Sequence, residues 1–347
     1  MHLPMRSVPL SPMWLHHVFL RVSSLVSLMV RGTCCVMDEW TMSLRRVVTV
    51  ANRKGGVLKS SLCRNVAAVA AGSGYRVLVV DGDPQGNLSE IDFAIDGDRG
   101  RSLAMALQYG TPLTTMATDG GVDVVCGGAE LQGALGAASM PGSEVSLEGN
   151  LRASLGVLCA ERGYDLVLID SGPGDTRLLD AYLRASRWLI VPTISDEASF
   201  AGVDKMGARY VTAKQAGADV EFLGAVLTKV NHLATARNKA IRDELAETLG
   251  EAAQPFEVMI RYSDAGSIDA RRHGMSARDV ATEALSQRKS RLAELRERAR
   301  DASRRGRSDQ DAWWSNSKNA GAGLAADYED LTREILTRIS AREAAHV

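Results

Sequence analysis

Residues 46–71 place the tightest constraint on the fold. Arg46-Val47-Val48-Thr49-Val50-Ala51 is a β-branched run of the kind that favours a strand. Asn52-Arg53-Lys54-Gly55-Gly56-Val57-Leu58-Lys59-Ser60-Ser61 follows, and from Ser60 to Ala71 the apolar residues Leu62, Val66, Val69 and Ala70 recur at helical spacing. A glycine loop between a strand and a helix turns backbone N–H groups and the positive helix end toward an anion. In the pattern G-x-x-x-x-G-K-[ST], the lysine reaches the outer phosphates and the hydroxyl holds Mg²⁺. Lys59 and Ser60 fill the last two places, whereas Arg53 stands at the first glycine and Leu58 at the last. Glycine at that last place takes a positive φ without a Cβ penalty. Leucine there is expected to cost about 1–3 kcal/mol of strain, and 1.4 kcal/mol corresponds to roughly tenfold in affinity.

Two further apolar runs end in acids. Val77-Leu78-Val79-Val80 leads into Asp81-Gly82-Asp83-Pro84-Gln85-Gly86-Asn87, and Leu166-Val167-Leu168-Ile169 leads into Asp170-Ser171-Gly172-Pro173. Singly, Asp-Gly-Asp-Pro is turn chemistry and Asp170 a strand-end cap. Strand-like runs at 46–51, 75–81, 122–126, 164–170, 187–192 and 222–230 alternate with helical stretches. That order predicts an α/β fold, a mostly parallel, doubly wound sheet with helices on both faces. Ligands of such sheets sit at the carboxyl ends of the strands, where Lys59, Asp83 and Asp170 fall. Gly110 to Gly121 reads as a surface loop.

Lys54-Gly55-Gly56 followed by Lys59-Ser60 resembles the deviant Walker A loop, K-G-G-x-G-K-[ST], of the ParA/MinD family of P-loop ATPases (the SIMIBI class). Leu58 is the one departure, since that family tolerates a non-glycine where Arg53 stands. Asp81 to Asn87 resembles the family's D-x-D-P-Q-G-N segment, and Asp170-Ser171-Gly172-Pro173 its Walker B strand and D-T-P-P switch. The resemblance covers residues 44–278 and 317–340 and is greatest to ParA/Soj-type partition ATPases. It implies ATP and Mg²⁺ as cofactors, with Lys54, Gly55, Gly56, Val57, Leu58, Lys59, Ser60 and Ser61 around the phosphates. Ser60, and Asp170 through water, would position the metal. Lys54 would reach the nucleotide of a partner subunit in a homodimer closed by ATP, and Asp83 would orient the attacking water, with Asp81 in the same switch. The family's turnover is slow and stimulated by a partner, here a ParB-like centromere-binding protein. Its partition members coat DNA nonspecifically, which makes Arg261, Arg271 and Arg272 candidate DNA contacts in a cytoplasmic, nucleoid-associated protein. The alternatives are a relative silenced by Leu58 that regulates or binds DNA without turnover, and a MinD-like cargo- or membrane-positioning ATPase.

The rest of the chain bounds these expectations. Charges nearly cancel, 41 basic against 42 acidic, so contact with nucleic acid needs a local patch. Five cysteines without a CxxC pair fit a reduced compartment better than a disulfide or iron–sulfur framework. Residues 1–43 read as an N-terminal extension outside the fold, with Met37 or Met42 nearer a natural beginning. Residues 13–30 are mostly apolar but interrupted by Arg21 and two histidines, and a spanning helix wants about 20 apolar residues; a membrane-touching segment is the lesser reading. Residues 44–278 form the ATPase domain, 279–316 an Arg-rich helical insertion, and 317–347 the domain's C-terminal helix. From Gln287 to Arg307 nine Lys/Arg face three Asp/Glu, which suits a solvated helix with internal ion pairs or a basic arm for DNA phosphates. In the last helix Tyr328, Leu331, Ile335, Leu336 and Ile339 share a face. Its acids Asp327, Glu329, Asp330 and Glu334 favour packing on its own domain over anionic lipid, so membrane is not an expected partner.

Overall fold

The structure, a computed structural model, describes residues 44–140, 144–263, 270–271, 273–286 and 320–345. The expectations for residues 1–43, for Arg272 and for most of the 279–316 segment lie outside the described residues. In chain order the elements are β1 (Val47–Val50), α1 (Lys59–Gly72), β2 (Val77–Gly82), a π-helical turn (Leu88–Asp92), α2 (Arg101–Tyr109), β3 (Met116–Ala117), β4 (Val122–Val125) and α3 (Leu131–Ala138). There follow α4 (Leu147–Arg162), β5 (Leu166–Ser171), α5 (Thr176–Ala185), β6 (Trp188–Thr193), α6 (Glu197–Gln215), β7 (Glu221–Leu227), α7 (Thr235–Leu249) and α8 (Ala320–Ala345).

The strands form one seven-stranded sheet in the order β3-β4-β2-β5-β1-β6-β7, parallel except at β3, which pairs antiparallel with β4. Parallel sheets are covered on both faces, which is why their strands read as unbroken apolar runs. Alternation along each strand sends Val48, Val50, Val77, Val79, Leu166 and Leu168 to the core shared with α1 and α8. Val47, Leu78, Val80, Val167 and Ile169 go to the opposite core, under α2 to α5. The doubly wound expectation holds. Within Gly110 to Gly121, expected to be loop, Met116 and Ala117 pair with Val124 and Asp123. Asp119-Gly120-Gly121 forms the hairpin turn, with Gly121 at φ 74° and its N–H on Thr118 O. An exposed two-residue strand without β-branched residues carries no alternation to read.

The C-terminal helix packs on its own domain. Tyr328, Leu331, Ile335 and Ile339, at spacings of three and four, are buried against α1 and the sheet, as expected for one helical face. Its acids are occupied at home. Glu334 accepts hydrogen bonds from the N–H groups of Glu257 and Val258, both at 3.0 Å, and from Arg338. Asp327 takes Arg261 in a two-pronged ion pair at 2.7 Å. A second helical run, 277–286, opens with Ser276 and Asp279 bonded reciprocally, a capping-box arrangement. It passes through position 278, where the sequence reading changes from domain to insertion, and its buried Ala277 and Val280 tie that junction to the core.

Because the apolar stripe of α8 is buried, Ile335→Ala should lower unfolding free energy by about 2–5 kcal/mol, measured by urea titration. The native chain should not sediment with anionic vesicles.

Candidate functional site

The loop at the carboxyl end of β1 is held from several sides. Asn52 accepts the N–H of Lys54 at 2.9 Å and donates its amide to Pro192 O at 2.8 Å, fastening the loop's start to β6. Gly56 takes φ 74°. Val57 is wholly buried, and the Thr228 hydroxyl, just beyond β7, lies 3.2 Å from Val57 O and 3.0 Å from Thr193 O. Leu58 takes φ 67° and ψ 30°, the left-handed conformation that glycine would adopt freely. Its carbonyl accepts the N–H of Leu62 at 2.8 Å, so it opens α1 as the helix's N-cap. The positive φ expected at this place from the sequence is therefore present. Lys59 is buried, and its ammonium reaches back to Lys54 O at 3.3 Å. Lys54 donates to both carboxylate oxygens of Asp196, each at 2.6 Å.

Beside this loop, β1, β5 and β2 end level, so that Val50 pairs with Asp170 and Asp170 with Asp81. Adjacent positions on parallel strands put both carboxylates on one face. Asp81 is fully buried and bound by the N–H and hydroxyl of Ser89 at 2.8 and 2.7 Å. Burial pushes its pKa up to about 6, against the pull of those Ser89 bonds. Asp170 is 1% exposed, and among the described residues neither of its carboxylate oxygens has a hydrogen-bond partner. Burial first, then Asp81, drive its pKa well above the ordinary carboxylate range, while Ser60 and Lys59 pull it back. Burial likewise lowers the pKa of Lys59, opposed by Asp170 and Asp83.

Asp83, by contrast, is half-buried at the mouth of the site, where its Oδ1 accepts the N–H of Gln85 at 2.9 Å. Gly82, between the two aspartates, has no room for a side chain: an added Cβ would stand 2.6 Å from the Tyr182 ring and 2.7 Å from Asp170 O. Tyr182 also donates its hydroxyl to Gly82 O at 2.9 Å. The next turn meets a junction of bare backbone. Gly128 N–H reaches Asp83 O at 3.1 Å, a Cβ on Gly86 would lie 3.2 Å from Gly128 Cα, and one on Gly100 would lie 2.9 Å from Gly127 C.

The structure thus brings Lys54, Gly55, Gly56, Val57, Leu58, Lys59, Ser60 and Ser61 into one loop, with Asp170 against its helix end and Asp81 and Asp83 alongside. The arginines fare differently. Arg261 is committed to Asp327, whereas Arg271, whose side chain is 60% exposed, pairs with Asp92 at 3.5 Å. Sequence reasoning missed Ser89, Tyr182, Thr228 and Asp196, which support the site from elsewhere in the chain; of their signals, only Thr228 at the end of an apolar run was visible.

Since Asp81 binds its proton more tightly folded than unfolded, it favours folding at acid pH, and that contribution fades as pH rises from about 4 toward about 6. Asp81→Asn should flatten this decline by up to about 3 kcal/mol, read from urea unfolding at several pH values in metal-free buffer.

Comparison with known proteins bears on the family and the fold. A family model described as an AAA domain (AAA_31) matches residues 45–218, half of the chain. The Chromosome-partitioning ATPase Soj of Thermus thermophilus is 33% identical over 46% of this chain, and the chain spans 58% of that relative's length. Cobyrinic acid a,c-diamide synthase from Mycobacterium smegmatis, solved with bound ADP and magnesium, is 27% identical with a TM-score of 0.53, over 66% of this chain and 92% of that one. The structure of pNOB8 ParA bound to nonspecific DNA shares the fold, at 20% identity and a TM-score of 0.57 over 85% of this chain and 99% of the other. With its doubly lysine-marked loop, its paired aspartates and Asp170 in order inside the matched residues, the chain belongs to this AAA domain family, and it is similar to a chromosome-partitioning ATPase over part of that relative's length.

Proposed function

We propose that this chain is a slow, partner-stimulated ATP hydrolase of the partition type, which binds ATP with Mg²⁺, pairs as a homodimer and coats DNA nonspecifically in answer to a ParB-like protein. The observation that carries the reading is the Asp170 carboxylate, buried without a hydrogen-bonding partner and facing Ser60 and Lys59. A buried carboxylate relieved only by Ser60 and Lys59 is costly to ionise, and a hydrated divalent cation at that position would stabilise its charged form. Ser60, and Asp170 through water, would hold the Mg²⁺, which supplies charge neutralisation at the phosphates when bound. The backbone of Gly55 to Ser61 would donate to the phosphate oxygens with the α1 N-terminus behind it. Lys59 would neutralise them, its ammonium already desolvated. Asp83, at the mouth of the site and accessible to water, would orient the attacking water. Lys54 would leave Asp196 to reach across the dimer.

The comparisons support the same reading, through a relative printed as a chromosome-partitioning ATPase, a neighbour solved with ADP and magnesium, and a fold neighbour on DNA. Among the described residues no helix is long and apolar enough to cross a membrane, and the buried stripe of α8 argues against the MinD-like alternative. Of the DNA candidates, Arg271 is the exposed one. Arg261 already serves α8, and Arg272 stays a proposal from sequence alone.

Lys59→Ala should weaken ATP–Mg²⁺ binding by roughly tenfold or more, the loss expected for a charge-assisted hydrogen bond, in a calorimetric titration. Asp83→Ala should keep binding and stop phosphate release. If Lys59→Ala binds as the native chain does, the nucleotide reading is wrong. Arg271→Glu should weaken ATP-dependent DNA binding and reduce the salt slope by about 1, whereas Arg261→Ala should instead lower folding stability.

A further inference from the structure

We propose that Leu58 is a positioning residue, which holds the phosphate-binding loop in shape by anchoring its side chain in the core where the family's pattern has glycine. The inference rests on the nucleotide reading above and concerns how that same loop is kept in order. Gly55 and Gly56 cannot fix it, because a Cβ on either would meet nothing within 4 Å. The fixed points lie at the other end. Val57 is wholly buried with its carbonyl beside the Thr228 hydroxyl. Leu58 packs, half-buried, against the core shared by α1, α8 and the sheet, while its backbone sits at φ 67°.

A glycine at this position enters the left-handed conformation freely but contributes no packing and leaves more backbone freedom to lose. Leucine opposes that conformation through its Cβ and offsets the cost by burying apolar surface. Alanine keeps the penalty and loses the anchor, so it separates this reading from simple damage to a glycine site. Methionine, similar in volume and flexible, restores the anchor.

The test uses the full chain with Leu58→Ala, Leu58→Gly and Leu58→Met. Hydrogen exchange at the amides of residues 53–60 is measured without nucleotide, and ATP with Mg²⁺ is then titrated, with thermal unfolding as the check of folding. Leu58→Ala should exchange about tenfold faster there and bind about tenfold more weakly, a loss of about 1.4 kcal/mol. Leu58→Met should recover both. Leu58→Gly should exchange faster and bind no more tightly than the native chain. The proposal is overturned if Leu58→Ala matches the native chain in both measurements, or if Leu58→Gly binds tenfold more tightly. Binding seen only with glycine overturns the anchor and makes the native loop a silenced one, against the proposal that this chain binds ATP. Binding by neither the native chain nor Leu58→Gly overturns both.

Discussion

Two carboxylates lie side by side in the dry end of a parallel sheet, and much of the surrounding structure answers to that. Asp81 and Asp170 occupy paired positions on β2 and β5, where burial and mutual repulsion both oppose ionisation. Asp81 is compensated by Ser89 from the π-helical turn. Asp170 is only partly compensated, by Ser60 and Lys59 at the start of α1, and burial with Asp81 still holds its pKa well above the ordinary carboxylate range. The two acids are treated unequally, Asp81 bound by Ser89 and Asp170 without a hydrogen-bond partner at either oxygen among the described residues.

The same division between support and exposure runs through the cations. Arg261 reaches into α8 to pair with Asp327, and Arg338, within α8, bonds Glu334 and stacks 4.1 Å from the Phe256 ring. Such arginines pack as much as they pair. Lys54 rests on the surface against Asp196, with its side chain 27% exposed, and exposed pairs of this kind are weak. A contact of that strength can be exchanged for another partner at small cost, whereas the α8 contacts cannot.

The sheet was legible because parallel strands covered on both faces read as apolar runs, as Val77–Val80 and Leu166–Ile169 do throughout and Val47–Val50 does apart from Thr49. The acids were legible because they interrupt those runs at their ends. Leu58 was legible as a misfit, and its positive φ follows from the loop's geometry whatever residue stands there. Ser89 and Tyr182 were not legible, since each acts on Asp81 or Gly82 across sequence separations that no local pattern records. Arg261 misled for the opposite reason: a basic residue in a surface-like run says nothing about an acid 66 positions away.

The bare-backbone junction among Gly86, Gly100, Gly127 and Gly128 has a mechanical consequence. Three separate segments touch there with no side chain between them, and close-packed interiors transmit displacement instead of absorbing it. Gly100 is also the residue on which α2 begins. The Asp83 turn, the β4–α3 loop and the first turn of α2 therefore meet backbone to backbone, and a side chain added at Gly100 or Gly128 would have to push a neighbouring segment aside.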